Sequence, residues 1–292
     1  MVDLGATVTS SPHDSSMRAP AFEATARVEF ISVEPDVDVF CRLGGVENGG
    51  TPVVFLHGNR DNHSHYTELE SIIAQNRRTL SIDFRGHGLS SKPDCPMTPD
   101  LLAADVDSVI RTLGFDRVIL LGHSLGSVTS MVYASKWPER VERMILMAPA
   151  AHFEIGFTRP DPPESPEQYH AFVNEANRRA APLFFQDDYP EVARRAITVW
   201  SQMPYHVNKN LIKLKHPDLR PVVPGFPMPI LLIAGEHDRA TTVEDAHWIE
   251  QNAQNAELFV VDRAAHFMYN ERLDLVAPRI LHFLAETDGG AA

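Results

Sequence analysis

The chain has only two cysteines, Cys41 and Cys95, in 292 residues. Neither belongs to a C-x-x-C pair, so neither a disulfide framework nor a thiolate zinc site is expected to hold the fold. Two free thiols fit a reducing compartment, and a cytoplasmic location is expected. No apolar run approaches the roughly 18 residues of a membrane span. The opening MVDLGATVTSSPHDSSMRAP lacks an apolar stretch behind a basic end, so it does not read as a secretory signal. Basic residues are scarce as well: 26 Lys and Arg against 39 Asp and Glu leave a formal charge of −13. That deficit removes the long-range pull toward phosphate backbones or anionic headgroups, so neither nucleic acid nor membrane is an expected partner. No block of five or six like charges stands out, and the excess acid reads as solubility. What remains is ordinary globular material, long enough to bury a core without a metal or disulfide staple.

Residues 1–22 are rich in Ser, Thr and Pro without a period, and are expected to form a mobile tail. Strands are expected at ARVEFISVE and, as a second edge strand, at VDVFCRLGG. Three buried strands follow at TPVVFLHG, RTLSIDFRG and DRVILLGHS. Between the last two a helix is expected, capped by Thr98, with Pro99 in its first turn and Leu102, Val106, Val109, Ile110 and Leu113 at helical spacing up to Gly114. After Ser124, the stripe Val128, Met131, Val132 and Ser135 marks another helix, and VERMILMAPA the next strand. Strands alternating with helices predict a mostly parallel, doubly wound α/β sheet flanked by helices. The rhythm breaks over 151–226, where proline-rich passages bracket two helical patterns, Pro166–Arg179 and Asp188–Met203. This stretch is expected to form a small helical cap after the sixth strand. Residues 23–150 and 227–292 form the core, which resumes with MPILLIAGEHD, a helix at HWIEQN, a strand at AELFVVDRAAH and a closing helix through LVAPRILHFLAE.

The sequence LLGHSLGS joins an expected buried strand to an expected helix, the context in which G-x-S-x-G forms a nucleophile elbow. Gly122 and Gly126 keep Cβ atoms away where strand and helix nearly touch, and the Ser124 hydroxyl then projects from the carboxyl end of the sheet. A serine needs a base to take its proton. Of 14 histidines, His266 follows the last expected strand directly, whereas His282 lies inside the final helix and His87 and His123 lie in glycine-rich turns. Asp238 follows Gly235 by two spacer residues, where it can reach His266 and fix its tautomer; Glu236 is the weaker candidate. The HGN turn offers the backbone N–H of Asn59, and the N–H of Leu125 follows the nucleophile. Two such donors would make an oxyanion hole. His152, Trp200 and Met203 are candidates for the substrate pocket. HSH at His63–His65 and GEHD lack a convincing ligand set, so no metal and no cofactor is expected.

Together FLHGN, SIDFRGHGLSS, GHSLGS, GEHD and AHFMYNERLD resemble the α/β-hydrolase family across nearly the whole chain after the tail. Asp83, Arg85, Gly86, Gly88 and Ser90 match its D-x-R-G-x-G-x-S loop, which the resemblance marks as structural. Relatives that open epoxides or remove halides carry an aspartate nucleophile, so Ser124 argues against both activities. The resemblance implies a serine hydrolase using Ser124, His266 and Asp238 on a small, partly apolar carboxylic ester or lactone. C–C bond hydrolysis, perhydrolysis and a ligand receptor with a slow residual triad are the alternatives. The chain departs from the family pattern at Arg239-Ala-Thr-Thr242, where many relatives carry a proline, at Ala265 before the histidine, and at Ser127 after the elbow.

Overall fold

In the computed structural model, which describes residues 26–153, 163 and 165–286, runs of four to eight residues become strands and periodic runs become the helices that cover them. β1 (Arg27–Glu34) is mostly exposed, whereas β2 (Val37–Gly44) is mostly buried. β3 (Val53–Leu56) is followed by α1 (Thr67–Ala74), β4 (Thr79–Ile82), α2 (Pro99–Thr112) and β5 (Val118–His123). Then come α3 (Leu125–Lys136), β6 (Val141–Met147), α4 (Pro166–Phe184), α5 (Pro190–Ser201) and α6 (Tyr205–Ile212). The chain closes with β7 (Ile230–Gly235), α7 (Val243–Asn252), β8 (Ala256–Val261), α8 (Met268–Glu271) and α9 (Leu273–Ala285).

The eight strands form one sheet in the order β1-β2-β4-β3-β5-β6-β7-β8. The β1–β2 and β2–β4 pairs are antiparallel and the other five are parallel. The expected edge position of β2 is therefore corrected: it is paired on both sides. Side-chain alternation reports which face of a strand is covered, and says nothing of whether both backbone edges are bonded.

A period of two sorts the core onto two faces. Val54 and Leu56 pack with Leu102, Val106, Met131 and Ile249 on one side, while Val53 and Phe55 pack with Leu69, Ile73, Val276 and Ile280 on the other. α2 begins as its sequence predicts: the Thr98 side chain accepts the Leu101 N–H at 3.1 Å, and Gly114 (φ +71°) lies just beyond its end. α3 shows more burial than its stripe suggests, because Leu125–Ala134 are all buried. It lies between the sheet and α2, so it has no solvent face along that length. α1 and α6 went unforeseen; each is eight residues long, about two turns, too short for a period to declare itself. α4 runs past its expected end at Arg179 and through Pro182, which sits in its last turn. The expected tail and Phe157, one of the aromatic residues of 151–226, lie outside the described residues.

Candidate active site

The elbow depends on two close approaches. A Cβ on Gly126 would sit 1.9 Å from the Leu56 carbonyl oxygen, and one on Gly122 would sit 2.4 Å from the Gly126 carbonyl oxygen. Without side chains there, β3, β5 and the first turn of α3 can touch. Ser124 takes φ +53° and ψ −112° between them, a sparsely populated conformation for a residue with a Cβ. Two contacts to β6 hold it. Its N–H donates to the Met147 carbonyl at 2.9 Å, and the Ser127 hydroxyl bonds the carbonyls of Gly122 (2.9 Å) and Met147 (2.8 Å). The serine that departs from the family's glycine thus ties the elbow to its neighbour strand.

The Asp238 and His266 loops close on each other just beyond β7 and β8. A Cβ on Gly235 would lie 2.2 Å from the Ala265 carbonyl oxygen, and the His237 N–H donates to Ala264 at 2.8 Å. This contact brings Asp238 to His266: Nδ1–H of the imidazole donates to Asp238 Oδ2 at 2.7 Å, with both side chains buried. The other carboxylate oxygen accepts the N–H groups of Ala240 (2.8 Å) and Thr241 (3.1 Å), and the Thr241 hydroxyl donates to Oδ2 at 2.9 Å. The Arg-Ala-Thr-Thr stretch, where many relatives carry a proline, therefore builds a cradle around Asp238. Burial by itself would raise the Asp238 carboxyl, but the charge of His266 and these hydrogen bonds outweigh it and hold it below the usual carboxylate range. Glu236 faces elsewhere, accepting the Arg263 N–H at 3.1 Å.

His123, next to Ser124, holds the backbone of His266. Its Nε2 meets the His266 carbonyl at 2.9 Å, and a carbonyl only accepts, so the proton is on Nε2. Burial first, then the His266 charge, pushes its pKa down to about 3, which keeps the ring neutral. His57 has its tautomer fixed in the same way. Its Nε2 accepts the Phe84 N–H at 2.9 Å, so Nδ1 carries the proton and donates to the Gly58 carbonyl at 2.7 Å. That carbonyl also accepts the Asp61 N–H at 3.2 Å. In a trans peptide the Asn59 N–H points opposite to the Gly58 oxygen. A Cβ on Gly58 would be 3.6 Å from the Ser124 Cβ, so this oriented peptide lies beside the elbow. Leu125 opens α3, and a first-turn N–H has no acceptor within its own helix. Both predicted donors thus border Ser124.

The loop Asp83–Ser90 braces this arrangement from behind. Asp83 accepts from the His63 and Leu89 N–H groups at 2.7 and 2.8 Å, and Gly88 (φ +46°) leaves room for its carboxylate. Arg85 binds Asp105 through Nε at 2.6 Å and through NH2 at 2.5 Å. His87 is buried against His57, with ring centroids 4.9 Å apart. His282 is exposed on α9, away from this network.

Of the pocket candidates, Trp200 is buried and packs on Phe184 and Phe267, whose rings both meet His266. Met203 is buried, and its carbonyl accepts the Tyr169 hydroxyl at 2.7 Å. His152 is half-buried and lies 3.8 Å from Asp218. Residues that the motifs did not reveal include Arg60, Asn177 and Glu271. Only position offers a hint of them: Arg60 adjoins Asn59, and Glu271 lies five residues past His266.

The mostly parallel sheet, the strand-to-helix turn at Ser124 and the Asp238–His266 pair beside it are those of an α/β hydrolase. The chain belongs to the alpha/beta hydrolase family, whose sequence profile matches residues 53–279. It is 25% identical over 273 residues to a 2-(acetamidomethylene)succinate hydrolase of Mesorhizobium japonicum, covering 87% of this chain and 95% of that one. It is 28% identical over 277 residues to the proline iminopeptidase PfmaB of Pestalotiopsis fici, covering 87% and 98%. Among solved structures, the enol-lactonase of Burkholderia xenovorans LB400 superposes with a TM-score of 0.75 at 26% identity, covering 88% of this chain and all of that one.

Proposed function

We propose that the chain is a serine hydrolase that cleaves a small, partly apolar carboxylic ester or lactone through an acyl-enzyme. The observation that carries this reading is the 2.7 Å bond from His266 Nδ1 to Asp238 Oδ2. With the proton fixed on Nδ1, the Nε2 lone pair is left to accept the Ser124 proton. Ser124 then attacks the carbonyl carbon, and the N–H groups of Asn59 and Leu125 receive the developing oxyanion. His266 returns the proton to the leaving alkoxide, and a water deprotonated by the same imidazole releases the acid. In a lactone the leaving group stays attached, so one hydroxy acid is the product. The enol-lactonase likeness favours an ester-type bond.

The segment 151–226 acts in this reading as a cap over the site, with Trp200, Met203 and His152 as pocket walls. A small-molecule substrate in the cytoplasm is the expected setting. The test is labelling with a fluorophosphonate probe, followed by a panel of esters and lactones of graded acyl length. Stoichiometric labelling at Ser124, lost in Ser124→Ala along with about 10⁶-fold of kcat, is the expected result. Turnover that survives Ser124→Ala in a folded protein overturns the assignment, and cleavage of a diketone in preference to every ester would move the reaction to C–C hydrolysis.

A further inference from the structure

One helix reaches all three loops of the site. Partway along α4, the buried Asn177 accepts a hydrogen bond from Arg60 NH1 at 2.9 Å on its Oδ1, and its amide nitrogen donates to Ser201 of α5 at 3.2 Å. Arg60 directly follows Asn59, takes a left-handed φ of +62°, and lays its guanidinium over the Trp200 ring at 4.9 Å. At the end of α4, the Leu183 carbonyl accepts the N–H of Arg239, the residue after Asp238, at 3.3 Å. The next carbonyl, of Phe184, accepts the N–H of His266 itself at 3.2 Å, and the Phe184 ring meets the imidazole edge-on at 5.1 Å.

The last four carbonyls of any helix lack donors from their own helix. Here two of those four are taken by the acid loop and the base loop. The side chains could have packed without this: an apolar lid needs only rings over the site. The backbone bonds add something a lid does not need, a fixed distance between the loops after β7 and β8, referred to the same helix that holds Arg60.

We propose that α4 is a positioning element of the reaction, which sets the oxyanion loop, Asp238 and His266 in register together, so that the catalytic groups are aligned only while α4 is seated. This rests on the reading of Ser124, Asp238 and His266 as the catalytic residues. A substrate that shifts α4 to enter meets a slackened site, and hydrolysis waits until the helix returns. Misplacement of a catalytic group by about 1 Å costs on the order of 100-fold in rate, so small movements of α4 are enough.

The test uses the full-length protein with Phe184→Ala, Asn177→Leu and Asn177→Asp, the last keeping an acceptor for Arg60. Three quantities are read: kcat and KM on the best ester, the rate of fluorophosphonate labelling, and the low-field proton resonance of the His266–Asp238 bond. Phe184→Ala keeps both backbone carbonyls but removes the ring that seats the end of α4 against His266, and is expected to lower kcat and labelling roughly 10- to 100-fold with little change in KM, and to broaden or erase the low-field resonance. Asn177→Leu is expected to lower kcat about 10-fold while the resonance persists, with most of the loss recovered in Asn177→Asp. If Phe184→Ala does not fold, Phe184→Leu keeps the bulk and removes the ring edge. Folded variants that raise KM alone, with kcat, labelling and the resonance unchanged, would make α4 a pocket wall and sink the proposal. A wild-type protein that fails to label at Ser124 would instead refute the catalytic reading beneath it.

Discussion

Glu271 accepts the backbone N–H of Ala265 at 2.5 Å, one residue before His266, and so holds the His266 loop. Burial, opposed by that hydrogen bond and the His266 charge, pushes its carboxyl up to about 7 from 4.5. A raised carboxyl favours the folded state most where both states are protonated, below about 4.5. As pH rises, the unfolded chain ionises first, and the contribution is lost by about pH 7. The stability difference between wild type and Glu271→Gln should therefore fall between pH 4.5 and 7 and then level off, by up to roughly 3 kcal/mol. Urea unfolding of both proteins across that range measures it. A difference that does not vary with pH would show that Glu271 is not titrating there.

Asp238→Asn should lower kcat about 10⁴-fold in a folded protein. The side-chain oxygen will stay with the N–H groups of Ala240 and Thr241. That leaves the amide NH₂ facing His266 Nδ1, which must then accept, and the imidazole proton moves to Nε2, where it cannot receive the Ser124 proton. Steady-state kinetics at matched melting temperature would decide it. Unchanged kcat would mean the tautomer is set elsewhere.

Ser124→Gly should stabilise the fold while abolishing turnover. The backbone at φ +53° is strained for serine by about 1–3 kcal/mol, and glycine relieves it at a smaller entropic cost. A rise in melting temperature of about 2–4 °C is expected for a chain of this size. Thermal unfolding that shows a lower value would mean the turn is not strained.

Gly126→Ala should cost about 3 kcal/mol or more, because its Cβ would meet a backbone oxygen of β3 that cannot move aside. Gly225→Ala serves as its contrast: nothing lies within 4 Å of its Cβ position. Chemical denaturation of the pair should separate them clearly, and equal stabilities would show that β3 and α3 can yield.

Motifs whose chemistry demands particular residue types at fixed turns were legible in the sequence. Gly122, Ser124 and Gly126 are constrained by one elbow, and Asp238 and His266 each follow a strand whose apolar run is plain. Arg60 and Asn177 were not legible, because each acts through a partner far away in the chain; Glu271 lies within AHFMYNERLD, but its bond is to a backbone N–H, which leaves no mark on the identity of Ala265. Asn177 is one polar residue among many on α4 until Arg60 arrives from 117 positions away. The place of β2 escaped for a related reason: backbone pairing on both edges leaves no mark on side-chain pattern.

The proposed base, His266, is held by the residue beside Ser124, yet His123 and His266 stand 143 residues apart. Synthesis at about 5–20 residues per second therefore delivers the serine roughly 7–30 s before the imidazole. During that interval the emerging chain can fold the elbow and still be chemically inert. With Ser124 and His266 acting as proposed, hydrolytic competence waits for the chain beyond β8, so fragments truncated before that strand should show no hydrolase activity.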